Sequence, residues 1–196
     1  MTRLTAVVCA LGVAVACAGC GGTKTPPQPE FRGTVVEPTA AAPAFTLTDQ
    51  AGHAVAMTAQ RGHYVVVTFL YTHCPDVCPV IAGMLNQALK TPIAHRAGLR
   101  VLAVSVDPKG DTPAAVRRFI RVHQLLPTFR YLTGTRAQLQ PVWNAFHIAS
   151  TPGAKGTVSH TAVEYLIDPQ GRERLIYDST VTTAEVVHDL TRLVGA

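Results

Sequence analysis

The sequence predicts an α/β fold, a central mixed sheet with helices on both faces. Three observations predict it. Residues 64–71 hold Val65, Val66, Val67, Phe69 and Leu70 in near-continuous series, the pattern of a strand buried on both sides. Residues 99–106 form a second such run. Around these runs the apolar residues fall at helical spacing, and the chain closes with a hairpin pattern and a last helix.

Each element has its own signal. Residues 45–48 and 54–57 flank the polar turn Asp49-Gln50-Ala51-Gly52, a short hairpin. After the strand at 64–71, Ile81, Leu85, Ala88 and Leu89 mark the apolar face of a helix over 79–90. Pro79 places its start: a proline costs ~3 kcal/mol in a helix interior and nothing at the first helical position, where the N–H has no partner anyway. Cys78 is then the cap, and residues 74–78 are a loop. The strand at 99–106 ends at Asp107-Pro108, and Asp111-Thr112-Pro113 opens a helix to about residue 123. A short strand at 129–132 precedes a helix over 135–146, with Leu139, Val142, Trp143 and Phe146 facing the core. A loop with Pro152, Gly153 and Gly156 follows. Residues 161–167 and 173–177 make a hairpin on Pro169-Gln170-Gly171-Arg172, and Thr183 caps a helix over 184–194. Alternating strands and helices with an antiparallel tail fit a thioredoxin-like architecture. Such sheets bind ligands at the carboxyl edge of their strands. Cys74 and Cys78 fall there, beside a positive helix end that favours thiolate.

The 196 residues suit one domain with extras, and 47% hydrophobic against 15% charged suits a packed core. A net charge of +5 with 6% aromatics does not indicate nucleic-acid binding. The densest basic group, Arg117-Arg118 with Arg121, reads as a solvated helix face without stacking residues. Three of the five cysteines lie in the first twenty residues. Arg3 followed by an uncharged stretch too short to span a membrane reads as an export signal. Its end, Ala16-Cys17-Ala18-Gly19-Cys20-Gly21-Gly22, resembles the lipobox of bacterial lipoproteins. That implies residues 1–19 as signal peptide and lipidation at Cys20, with Cys17 as the alternative. Residues 20–43, rich in Pro and Gly, read as a tether, and residues 44–196 as the folded domain. Only Cys74 and Cys78 then stay free, in an oxidising compartment.

The pair is spaced by three residues, one more than in a thioredoxin-type motif. Two thiolates on one loop suit a soft metal such as Cu(I). Zinc would want four ligands, and there is no second cysteine pair. A metal site needs a third ligand, for which histidine is the candidate. Of eight histidines, His53, His63, His95, His123 and His188 read as surface residues. His73 adjoins Cys74 too closely to share its ion, and His147 closes a helix. His160 follows the glycine-containing loop and precedes a core strand, although spacing alone does not select it. Asp76 reads as an acidic residue favouring the helix start. Asp107 is either close to the site or simply a turn residue before Pro108.

Tyr71-Thr72-His73-Cys74-Pro75-Asp76-Val77-Cys78-Pro79 resembles the signature of the Sco/SenC proteins, the copper chaperones of cytochrome c oxidase assembly. So do Val104-Ser105-Val106-Asp107-Pro108 with Asp111-Thr112-Pro113, and Val158-Ser159-His160-Thr161 ahead of Tyr165-Leu166-Ile167-Asp168-Pro169. The blocks stand in family order from about residue 45 to the C-terminus. The resemblance implies a thioredoxin-like fold and copper, as Cu(I) or Cu(II), held by Cys74, Cys78 and His160. It implies delivery to the binuclear copper centre of a respiratory oxidase. Many members carry a transmembrane helix, where this chain carries a lipoprotein-type start. The expected place is therefore the outer face of the bacterial cytoplasmic membrane. The alternative is a thiol–disulfide oxidoreductase, Cys74 and Cys78 forming a redox disulfide that reduces the oxidase's copper-ligand cysteines and is reset by a thiol reductant. A metallochaperone comes first of the two. A purely structural disulfide ranks last, since the loop it closes is too short to constrain much.

Overall fold

Val65–Leu70 forms strand β4, and all six residues are buried. Successive strand side chains point to opposite faces, so such a strand is covered twice. In the computed structural model, which describes residues 30–153 and 157–195, β5 (Arg100–Ser105) runs parallel to β4 and β6 (Phe129–Thr133) parallel to β5. On the other side β9 (Val163–Ile167) pairs antiparallel with β4, and β10 (Glu173–Asp178) with β9. The hairpin of β2 (Thr46–Asp49) and β3 (Ala54–Ala56) adds to β6, while β1 (Thr34–Val35) adds to β10. The strand order is β1-β10-β9-β4-β5-β6-β2-β3.

Helices cover both faces. Tyr64 and Phe69, five residues apart, point opposite ways. The Tyr64 hydroxyl donates to the carbonyl of Leu193 in α5 (Thr183–Gly195) at 2.9 Å. The ring of Phe69 meets that of Phe146, just past α4 (Arg136–Ala145), at 5.5 Å. α1 (Val77–Leu89) and α2 (Pro92–Ala97) pack with α5. Asn86 in α1 donates to Gln124 O and accepts from Leu126 N, joining α1 to the end of α3 (Pro113–Val122). Trp143, fully buried, donates its indole N–H to Ser105 O at 2.9 Å. These contacts make the expected α/β mixed sheet.

Three expectations need correcting. The sheet begins ahead of residue 44, because β1 lies within the stretch expected as tether. Buried Asp189 in α5 accepts from Arg32 N, Gly33 N and the Tyr177 hydroxyl. A two-residue strand held by a carboxylate over 150 positions away leaves no local pattern to read. Thr182, not Thr183, caps α5: its hydroxyl accepts from Glu185 N, and Glu185 Oε2 accepts from Thr182 N, a reciprocal cap. Thr183 instead donates to Met84 O and ties α5 to α1. Two short elements were also not expected, α2, and the ribbon of β7 (Ser150–Pro152) with β8 (Val158–His160). Both are too short for an apolar pattern to repeat enough times to be read. The expected signal peptide and Cys20 lie outside the described residues. No described helix is long and apolar enough to cross a membrane.

Inside the sheet, Glu164 is buried among apolar neighbours. Its Oε1 accepts from the Thr68 hydroxyl at 3.3 Å, and its Oε2 has no partner. Burial pushes this carboxyl up to about 8.

Candidate metal and thiol site

The chain leaves β4 at Tyr71 and turns at once: Cys74 N donates to Tyr71 O at 3.3 Å. The helix then starts sooner than Pro79. α1 opens at Val77, so Cys78 is its second residue and Pro79 its third. Proline is still tolerated there, because the first four N–H groups of a helix have no intrahelical partner. Asp76 occupies the cap position, but its side chain makes no capping bond. The sulfur of Cys74 does that work, accepting from Cys78 N at 3.4 Å. Cys74 is half-buried and Cys78 fully buried, both as free thiols. Burial, then the neighbouring Cys74, pushes the Cys78 thiol well up.

The loop is held from below by Asp111. This buried carboxylate accepts from Thr72 N and the Thr72 hydroxyl, both at 2.7 Å, and from the Ser105 and Tyr131 hydroxyls at 2.6 and 2.9 Å. Burial raises its pKa and the Ser105 and Thr72 bonds draw it back. Asp111 was expected only as part of a helix start. Thr112 caps α3 alone by accepting from Ala115 N, which leaves Asp111 to the cysteine loop. Asp107 behaves as a turn residue, its Oδ1 accepting from Lys109 N and Gly110 N.

His160 ends β8 at the same edge of the sheet. Its ring stands edge-on to Tyr71, centroids 6.0 Å apart. Nδ1 lies 2.9 Å from the carbonyl of Thr161, which can only accept. Nδ1 therefore carries the proton, and Nε2 keeps the lone pair a metal needs. Burial lowers the pKa of this imidazole, with the bond to Thr161 opposing it, which favours the neutral ring. The three expected ligands thus share one end of the molecule, with Tyr71 between the cysteine loop and the histidine. They do not form a closed triad: among the described residues no three His, Cys, Asp or Glu side chains are grouped tightly enough to hold a metal. Of the histidines expected at the surface, His63 is half-buried between Gly98 O and Arg100, and His123 stacks on Phe119.

The sequence profile of the SCO1/SenC family matches residues 34–195. The chain belongs to the SCO1/SenC family. Among SCO1/SenC relatives, the human mitochondrial SCO1 homolog is 32% identical over 134 residues, which are 65% of this chain and 44% of that protein. The chain thus spans under half the length of that relative. The structure of Bradyrhizobium japonicum ScoI with copper bound is 32% identical, with a TM-score of 0.67 over 78% of this chain and 99% of that one. The solution structure of apo Sco1 from Thermus thermophilus is 27% identical, with a TM-score of 0.71 over 88% and 99%. Asp111 and Tyr71 both fall inside the motif blocks, but the motif gave neither a part in this SCO1/SenC site. Their signal was their neighbourhood: Asp111 is the second acid after the strand that runs beside β4, and Tyr71 is the last residue before the cysteine turn.

Proposed function

We propose that this chain takes up copper through Cys74, Cys78 and His160 and passes it to the copper-receiving subunit of cytochrome c oxidase. It does so while held at the outer face of the bacterial membrane by a lipid on Cys20. Most of the weight falls on one observation: a relative 32% identical across nearly its whole length was solved with copper, and this chain has both cysteines and the histidine of the family motif. The donor set suits the cargo, since two thiolates and an imidazole are soft enough for Cu(I) and leave room for a further ligand to Cu(II). Thr161 keeps the His160 lone pair on Nε2, and the turn held by Asp111 leads into Cys74 and the first turn of α1, which carries Cys78. Loading needs reduced, deprotonated thiols, so the raised Cys78 thiol makes uptake stronger as pH rises. Metal analysis of the reduced full-length chain tests the reading: about one copper per chain is expected, and His160→Ala should weaken uptake at least ten-fold. No uptake by the reduced chain would refute the chaperone. Undiminished uptake by His160→Ala would refute the ligand set.

A second reading rests on the unequal burial of the two thiols. Half-exposed Cys74 attacks an oxidised cysteine pair on the recipient and forms a mixed disulfide. Buried Cys78 then displaces the recipient's sulfur. The recipient keeps two thiols, this chain keeps the disulfide, and a thiol reductant resets it. His160→Ala leaves that exchange intact, which separates the two readings.

A further inference from the structure

We infer that the outer face of α3 is the docking surface for an acidic protein partner that reaches the cysteine loop. This rests on the reading that Cys74 and Cys78 exchange with another protein. α3 contains no acidic residue, and Arg117, Arg118 and Arg121 are exposed on it. None of the three guanidinium groups makes a hydrogen bond or ion pair with a described residue, a state they share with Arg32, Arg96 and Arg192, whereas Arg61, Arg100, Arg130, Arg136, Arg172 and Arg174 are each engaged. What sets the α3 group apart is three such charges within five residues of one helix. Arg121 stands three and four positions from the other two, where like charges on a helix repel. The fold therefore tolerates a repulsive cluster with no internal counter-charge.

Arg118 carries the cluster to the site, while Arg117 faces the β2–β3 turn beside Asp49. A groove of about 390 Å³ runs between α3 and the cysteine loop, lined by Thr72, His73, Arg118, Phe119, Val122 and His123 among others, none of them acidic. Thr72 is two residues from Cys74. Val122, 60% exposed, is one of three large hydrophobic side chains left at the described surface. Cation beside apolar surface suits a protein segment carrying carboxylates and an apolar anchor. A membrane fits less well. The described chain enters the sheet at β1, five strand spacings (~24 Å) from β6, and the ring of Phe119 in α3 meets that of Tyr131 in β6 edge-on. The arginines thus sit far from the edge where a tether arrives.

Thiol–disulfide exchange with three small disulfides tests this on the reduced full-length chain: oxidised glutathione (anionic), cystamine (cationic) and hydroxyethyl disulfide (neutral). In each, a thiolate of the pair attacks and one probe thiolate leaves. The second cysteine then closes the Cys74–Cys78 disulfide and releases the other, so the pair loses two electrons and the probe becomes two thiols. The anionic probe should react about ten-fold faster than the cationic one at low salt. That ratio should fall toward one near 1 M salt, where the screening length is ~3 Å. Joint Arg117→Glu, Arg118→Glu and Arg121→Glu substitution should invert the ratio and leave the neutral rate within about two-fold. An unchanged ratio overturns the docking surface. Inertness toward the neutral probe overturns the thiol-exchange reading beneath it. Binding to anionic phosphatidylglycerol vesicles that vanishes with the three substitutions, with no probe preference, overturns the protein partner in favour of a lipid surface.

Discussion

Glu164 shows what one side chain does to the pH response of this fold. Its carboxyl moves from an ordinary 4.5 to about 8 because it is buried with only the Thr68 hydroxyl to accept from. Below 4.5 the folded and unfolded chains both hold the proton. Between 4.5 and about 8 only the folded chain does, so Glu164 lowers stability by ~1.4 kcal/mol for each unit of rising pH. Glu164→Gln removes that term. Its melting-temperature gain over the parent should widen from about pH 5 to about pH 8 and level off above. A gain independent of pH would mean the carboxylate is charged inside the fold. Neither Glu164 nor Asp111 stood out in the sequence, for one shared reason. A buried carboxylate is defined by partners on other strands, Thr68 for one and Tyr131 for the other, and those are far along the chain. Cys74, Cys78 and His160 were singled out because the motif around them is long, and spacing alone would not have selected the histidine. What the residues could not show is that the Tyr71 ring meets the His160 ring edge-on beside the cysteine loop.

Among the elements, the long apolar strands and α4 match their expected positions, since many residues repeat one pattern. The short hairpin of β2 and β3 and the short strand β6 also lie where expected, while β1, α2 and the β7–β8 ribbon were missed. β1 is the clearest case. Gly33 is needed where a Cβ would stand 2.6 Å from the Tyr177 ring, and Asp189 holds the two amides just ahead of the strand, those of Arg32 and Gly33. Asp189→Ala strips those amides and the Tyr177 hydroxyl of a charged acceptor, a loss of about 2–4 kcal/mol. Hydrogen exchange should show it first at Thr34 and Val35. Protection there equal to the parent's would mean that pairing with β10 alone secures the strand. The start of α1 belongs at this scale too: Pro79 was a sound marker of a helix beginning, but a sulfur cap placed that beginning two residues ahead of it.

For the molecule as a whole, strand and helix alternation with the antiparallel tail was enough to name the architecture, because the parallel core needs crossover helices. The β7–β8 ribbon carries His160 independently of the cysteine loop, so the proposed ligand set draws on two separate pieces of chain. Copper binding that bridges them should slow hydrogen exchange at both residues 72–79 and 158–161. In His160→Ala, protection should persist at the cysteines and disappear at 158–161. Equal protection of both segments in the variant would mean that the ribbon closes for some reason other than ligation.

The bond from Cys78 N to the Cys74 sulfur has a consequence for any protein that meets this surface. A new covalent or coordinate bond changes the charge on that sulfur, and with it the strength of the bond it accepts from the helix. Engaging Cys74 therefore tightens or loosens the opening turn of α1. Val80, 66% exposed on that turn, would shift with it. A visitor touching only the outer skin of the helix can thus tell a laden molecule from an unladen one.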